Sequence, residues 1–392
     1  MSRFKRLVGS AAVSSLGDGV SRSLIPLLAA SITTAAGVGV VQALARLPWL
    51  LVALPVGHAV DRHGYAKLLQ VSLVVKIAGC VALIAAAFVH SFPLLALAAF
   101  VVVSGEVAFD TSVHGALPFL LPPGGRAAGN GQLYSWQSAN GQFVGPALGG
   151  AAGSVLAGLA PIVPALMHSA ALLIPVGTTP VATEPAQGGG GIVHSIRIGF
   201  TSLYANTGVW WTTVLGSVSM LAYGIWSAVF VTYVTAPQHL AQTAVVFGLL
   251  LACPAIGTVA VGLVAGRVVA RFTAFVGVLG SIVGQAGLFI PPLLHANASV
   301  VAVGMVLYGA GLGLWNAGVL SYRQTHVDAA VYARATAAYR VSSWGASPLG
   351  AIAGAALTAS VGIGWCFAVA ALLVAVQLGL APLARSLREY HG

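Results

Sequence analysis

The chain has 392 residues, of which 58% are hydrophobic and only 6% are Asp, Glu, Lys or Arg. Soluble domains carry roughly 25% charged residues. A water-surrounded fold of this length could not cover its surface with so few, which excludes a soluble enzyme and a nucleic-acid-binding domain and leaves a polytopic membrane protein solvated by lipid. The formal net charge of +10 is spread singly over short connections, the pattern of cytoplasmic loops rather than of a polyanion-binding patch.

Twelve spans are predicted, at 8–32, 38–57, 66–89, 94–114, 131–158, 161–181, 209–234, 243–266, 272–293, 299–320, 338–360 and 363–384, each near the roughly 20 residues that cross a bilayer. The basic start, Arg3, Lys5 and Arg6, superficially resembles a signal peptide. The run behind it is membrane-length, contains Asp18 and Arg22 and precedes many similar runs, so it reads as an uncleaved first span. Lys and Arg then fix orientation. The second, fourth, sixth, eighth and tenth connections hold Arg62 and Lys67, Arg126, Arg197, Arg267 and Arg271, and Arg323 and Arg334; the odd ones hold none. Both termini and all even connections are therefore expected in the cytoplasm.

The longest connection, 182–208, contains Thr183, Glu184, Pro185 and the run Gly188 to Gly191 and reads as a flexible linker. It divides an amino-terminal six-helix bundle (1–181) from a carboxyl-terminal one (209–392). Within it Ile192, Ile196, Phe200 and Leu203 recur at helical spacing with Arg197 opposite, which predicts a short helix on the inner surface. The halves share residues. Gly57 and Arg62 recur as Gly262 and Arg267, and Arg126, Ala127, Ser135 and Trp136 recur as Arg334, Ala335, Ser343 and Trp344. Matches at nearly one offset predict a parallel repeat, the arrangement of a transporter.

Of seven acids in the chain, three fall inside spans: Asp18, Glu106 and Asp110. A charge at mid-membrane costs roughly 2.5–3.5 kcal/mol on insertion scales, so each needs a partner or a task. Asp18 and Arg22 are four apart, on one helix face with Ser14 and Ser15 a turn earlier. Two readings stand, a substrate or proton site and a neutralised pair that fixes packing. Glu106, Asp110 and His114 form one stripe on the fourth span, with Glu106 about 18 Å past residue 94 and Asp110 near the inner surface. Two acids a turn apart disfavour double ionisation, so one is expected to exchange a proton, and Glu106 is the candidate carrier. Arg46 and Lys76 face these acids or an anionic substrate, or else snorkel or pair locally; Arg340 reads as an interfacial anchor.

On the fifth span Gly141, Gly145, Gly149 and Gly153 form an unbroken ridge beside Pro146 and Gly150. Glycine at every fourth position lets another helix approach backbone to backbone, and proline permits a bend. Cys80, Cys253 and Cys366 each fall in a different span and read as small buried apolar side chains. The ten histidines form no metal-ligand spacing. No phosphate-binding loop ending in Gly-Lys-Ser/Thr and no nucleophile elbow is present, so neither ATP hydrolysis nor a cofactor is expected.

Against this background Gly57, Asp61, Arg62, Gly64 and Lys67 resemble the most diagnostic motif of the major facilitator superfamily. Gly141 to Gly150 resembles its antiporter motif. Trp315, Asn316, Ser321, Arg323, Gln324, Arg334, Tyr339, Arg340, Trp344, Gly345 and Pro348 are similar to its bacterial exporter branch, which includes enterobactin and macrolide efflux proteins. The second-half copy of the first motif departs from the pattern, with Gly266 where the acid would stand. The resemblance implies an all-α fold of two six-helix bundles and a first helix that lines a central cavity. It also implies a cytoplasmic gate at Gly57, Asp61, Arg62, Gly64 and Lys67, with Asp110 as partner of Arg62. The expectation from residues and resemblance together is a monomeric secondary transporter in a prokaryotic plasma membrane, its partners the lipid bilayer, protons and a small-molecule substrate, exporting an amphipathic or hydrophobic compound in exchange for protons; the alternatives are a siderophore or peptide-like metabolite exporter, an uncoupled facilitator or importer, and a non-transporting membrane sensor.

Overall fold

The computed structural model describes residues 3–52, 55–56, 59, 64–122, 126–176, 192–264, 268, 271, 273–328 and 331–389. Gly57, Asp61, Arg62, Arg267 and the glycine run of the linker lie outside them. The described residues contain no strand. In chain order the first helices are α1 (Arg3–Ile32), α2 (Ala35–Leu51), α3 (Tyr65–Phe88), α4 (Phe92–Leu120), α5 (Arg126–Ser138, a π turn at Ala139–Val144, then Gly145–Leu156) and α6 (Ile162–Leu172). There follow α7 (Ile192–Tyr204), α8 (Thr207–Thr235), α9 (Ala244–Gly262), α10 (Phe275–Leu293), α11 (Ala298–His326, with a π turn at Asn316–Leu320), α12 (Tyr332–Trp344), α13 (Ala346–Ser360) and α14 (Ile363–Leu380).

Among the described residues eight helical runs are long and apolar enough to cross a membrane, and α2 and α6 are shorter apolar helices. The remaining two of the twelve expected spans coincide with α1 and with α12–α13, helical over a sufficient length but more polar. Short polar connections start several helices. Thr34, Ser91, Asn206 and Asn297 each accept a hydrogen bond from the N–H three residues on, satisfying a donor that the helix leaves free.

Boundaries differ from expectation where polarity and helicity part company. Helix α4 continues past 114 to Leu120, α11 past 320 to His326, and α12 begins at Tyr332 rather than 338. Apolarity marks the lipid-exposed length, whereas backbone hydrogen bonding carries a helix on into polar sequence. Helix α6 ends at Leu172, short of the predicted 181, and α2 breaks at Leu47–Pro48, where proline removes an N–H.

The chain clusters into two units, Met1–Gln187 with Gln242–Ala252, and Gly188–Ala241 with Cys253–Gly392. In the first, the glycine ridge of α5 meets α1. A side chain at Gly141 would press on the Ser15 carbonyl at 3.3 Å, one at Gly145 would stand 2.6 Å from the Gly19 Cα, and Gly149 and Gly153 oppose Val20 and Leu24. The backbones thus cross in contact at Gly19 and Gly145. Gly150 faces Gly248, on the start of α9 that belongs to this unit. Two apolar clusters flank the crossing. One gathers Leu7, Tyr65, Leu69, Phe109 and Leu133; the other is Val20, Leu24 and Ala160. Between them lies a polar layer.

In the second unit α8 packs closely on α13, where Gly224 meets Gly350, and α10 on α11, where Gly287 meets Gly304. Helix α7 forms within the expected linker, with Leu203 buried, Arg197 exposed and Gly199 against the Arg334 carbonyl of α12.

Replacing Gly145 by Ala should lower stability by about 1–3 kcal/mol through overpacking. Gly131→Ala, with nothing within 4 Å of the added methyl, should raise it by up to about 1 kcal/mol through helix propensity. Thermal unfolding of purified protein in detergent reads both.

Candidate functional site

Helix α3 brings Lys76 into the polar layer. Its side chain is fully buried, at 0% exposure, and lies along α4 where Gly105 leaves room for its stem. The ammonium donates to Ser14 Oγ at 2.8 Å and to Asp18 Oδ2 at 2.9 Å, and stands 2.7 Å from Asp18 Oδ1 and 4.6 Å from the centre of the Phe109 ring. Asp18, also buried, therefore has its ion pair across the helix interface, with Lys76, rather than with Arg22 on its own face. The reason is reach. A side chain pointing into the bundle from α1 meets α3, while Arg22, one turn on, leans toward α4.

Arg22 is half-exposed. Its Nη2 donates to Glu106 Oε1 at 3.2 Å and its Nη1 to the Gly141 carbonyl at 3.3 Å. That carbonyl is available because of the π turn. The Gly145 N–H, which would close an α-helical bond on Gly141, bonds Asn140 O instead, and the next residue, Pro146, has no N–H to offer. The turn is further fixed by Asn140 Nδ2, which donates to the Ala12 carbonyl at 2.8 Å. Gly-Pro in the ridge therefore does more than permit close packing, since it exposes a backbone acceptor to an arginine on the packed helix. Interruptions of this kind are often found at functional positions.

Glu106 and Asp110, expected as neighbouring acids that disfavour double ionisation, each have partners of their own. Asp110 accepts from Gln137 Nε2 at 3.1 Å, and His114 Nε2 lies 3.5 Å away. Of the motif resembling a gate, Gly64 caps α3 with φ +78°, a left-handed conformation that suits glycine, and Lys67 is exposed. Gly57, Asp61 and Arg62, and with them the expected Arg62–Asp110 pair, lie outside the described residues. Arg46 ends the first segment of α2, half-buried. Arg340 stacks on Trp344, guanidinium carbon to ring centre 5.3 Å.

Two features escaped the sequence reading. One is His168 of α6, fully buried, with Nε2 3.8 Å from Asp18 Oδ1 and its ring accommodated by Gly17, where a side chain would collide with it. Its signal was an isolated titratable residue in the middle of the sixth span. The other is an uncharged network in the second unit. Gln285 of α10 and Gln377 of α14 exchange amide hydrogen bonds at 3.0 and 3.1 Å, and Ser219 of α8 donates to Gln377 Oε1 at 2.9 Å. Ser219 and Gln285 also line a small recess with Tyr308, Trp315, Tyr339 and Trp344 among others. No charged side chain among the described residues lines it, although the Arg323 guanidinium stacks 3.8 Å from the Tyr339 ring centre. No group of three or more metal-ligating side chains occurs among the described residues.

Among the described residues, eight apolar helices of membrane length and an ion pair buried between helices define a multi-pass membrane protein. The family profile of the Major Facilitator Superfamily matches residues 7–348, and the chain belongs to that superfamily. Solved structures share the fold at low identity. The nucleoside transporter NupG aligns with TM-score 0.74 and 14% identity over 100% of both chains. A bacterial homologue of the iron transporter ferroportin, inward-facing, aligns with TM-score 0.72 and 13% identity over 98% of each chain. A bacterial homologue of the human lysosomal transporter Spinster, inward-facing and unoccupied, gives TM-score 0.71 and 15% identity over 98% of this chain and 97% of that one. No curated protein matches the sequence significantly.

If Pro146 makes the Gly141 carbonyl available to Arg22, the two positions are energetically coupled. Arg22→Ala should destabilise the protein clearly in the native background and much less beside Pro146→Ala, with a coupling of about 0.5–3 kcal/mol in thermal unfolding; additive effects would contradict the link.

Proposed function

We propose that this chain is a proton-coupled exporter of a small amphipathic or hydrophobic organic compound, of the drug and metabolite branch of the superfamily. In this reading it acts as a monomer in a prokaryotic plasma membrane, with both termini cytoplasmic. Two six-helix halves, 1–181 and 209–392, rock about the linker 182–208. The observation that carries the coupling is the set of charges inside the first unit: a dry Lys76–Asp18 pair beside the partly open Arg22–Glu106 pair. Burying an ion pair is costly and rarely repaid in stability, so intramembrane pairs of this kind are retained for ion pathways. Glu106, half-buried and held by the more exposed Arg22, is the better proton carrier. Asp18 and Lys76 hold the pathway in register, Arg46 lies on its approach, and Gly57, Asp61, Arg62, Gly64, Lys67 and Asp110 act as the cytoplasmic gate. The glycine ridge with Pro146 biases the conformational equilibrium and seals against leak.

A second reading of the substrate, a planar heterocycle such as a nucleoside, is favoured by the side chains gathered in the second unit, where Tyr308, Trp315, Tyr339 and Trp344 beside Ser219 and Gln285 offer aromatic faces and uncharged hydrogen-bonding groups. NupG, which shares the fold, is a nucleoside transporter.

Both are separable in proteoliposomes under an imposed proton gradient, with radiolabelled chloramphenicol and uridine as probes. Gradient-driven export of chloramphenicol, abolished in Glu106→Gln, is expected. Uridine movement alone would favour the second reading. Flux that ignores the gradient, or coupling unchanged in Glu106→Gln, would remove the proton assignment.

A further inference from the structure

Asp18 is contacted by two bases of different kind. Lys76 lies 2.7 Å from Oδ1 yet aligns its hydrogen bonds on Oδ2 and Ser14. Oδ1 itself receives no aligned donor among the described residues, although the carboxylate is buried. Also near Oδ1 stands His168, with Nε2 at 3.8 Å, about 1 Å beyond a charge-assisted hydrogen bond. Neither ring nitrogen of His168 has a hydrogen-bond partner among the described residues, and the side chain is 0% exposed. An imidazole carries at least one N–H in either protonation state. A buried unsatisfied donor costs about 1–3 kcal/mol, so a histidine that merely filled space here would be a poor choice beside leucine.

The groups around it are few. Helices α1 and α3 pack against α6. Helix α1 contributes Asp18 and, one turn on, Arg22, engaged with Glu106. Helix α3 contributes Lys76 and, one turn further, the buried thiol of Cys80. Gly17 supplies the space: a methyl there would lie 2.6 Å from the His168 Cε1. The imidazole is therefore held beside the same carboxylate oxygen that Lys76 approaches.

We propose that His168 is the alternate partner of Asp18, taking up a proton and closing on Oδ1 when the Lys76 ammonium is drawn away. In the resting state of this proposal, ammonium and carboxylate cancel and the imidazole is neutral. When Lys76 leaves, the carboxylate is unbalanced in a dry site. A proton from the aqueous phase then adds to the ring nitrogen that lacks hydrogen, forming one N–H bond and breaking none in the protein. The imidazolium donates from Nε2 to Oδ1. Return of Lys76 expels that proton. One proton is thus exchanged for one movement of the lysine head, which ties charge to the relative position of α1, α3 and α6. The proposal deepens the proton-coupled reading and rests on it for its use in transport, but the partner switch is a property of the protein without substrate.

The test is nitrogen NMR of purified protein labelled with 15N-histidine, near neutral pH, with His168→Gln to assign the resonance. Native His168 should show the pattern of a neutral tautomer. In Lys76→Met it should show a protonated ring hydrogen-bonded through Nε2, and in Lys76→Met with Asp18→Asn it should be neutral again. A neutral ring in Lys76→Met, or a protonated one regardless of Asp18, would overturn the switch. Should Lys76→Met fail to fold, Asp18→Asn alone decides: the His168 Nε2 resonance must shift on loss of the carboxylate charge, and an unmoved resonance refutes the contact. Flux without proton coupling in a protein that passes this test would sink the transport reading and leave the switch standing.

Discussion

The first unit is arranged around one charged contact, the ammonium of Lys76 against the carboxylate of Asp18 in a site closed to water. Neither group tolerates that environment alone. Loss of one partner from a buried pair costs about 3–5 kcal/mol, because the survivor is left without compensation. The contact therefore fixes how α3 lies against α1. Ser14 completes the ammonium's hydrogen bonding and the Phe109 ring brings α4 into the same arrangement. The glycines make this possible. Gly105 accommodates the lysine stem and Gly17 the imidazole, while the Gly141-to-Gly153 ridge lets α5 lie directly on the helix that carries Asp18 and Arg22.

Packing and electrostatics meet at the π turn. One proline and one displaced N–H leave the Gly141 carbonyl for Arg22, which also holds Glu106. The two ion pairs thus differ in kind. Lys76–Asp18 is dry, so its ammonium leaves the carboxylate only as another base takes its place, whereas Arg22, nearly half-exposed, can let go of Glu106 at small cost. A dry pair and a water-exposed one thus sit a single turn apart on α1. The second unit solves burial differently. Its deepest polar groups are the amides of Gln285 and Gln377, which satisfy one another without charge, beside a small recess lined by Tyr and Trp.

The fold class was legible because lipid leaves so few solutions: long apolar runs become helices, and the near-absence of charge identified the solvent. Repeated glycines at every fourth position announced a close helix crossing, and the crossing is there. Partner choice was not legible. Asp18 and Arg22 are neighbours in sequence and on one helix face, but which acid meets which base is decided by the rotation of α1 against α3 and α4, and sequence spacing says nothing about that. The π turn was half visible, since Gly-Pro signalled a bend but not that Gly145 would bond to Asn140. His168 and the glutamine pair were overlooked for a shared reason. Single polar residues in separate apolar spans carry no periodicity, and only tertiary contact reveals what they face.

The most direct test of this account is whether the costs of losing Lys76 and of losing Asp18 are coupled. Unfolding of Lys76→Met, of Asp18→Leu and of the double variant, measured in one detergent, should show each single change costing about 3–5 kcal/mol and the double change costing less than either. Two costs that simply add in the double variant would mean that the ion pair is not what holds these helices in place.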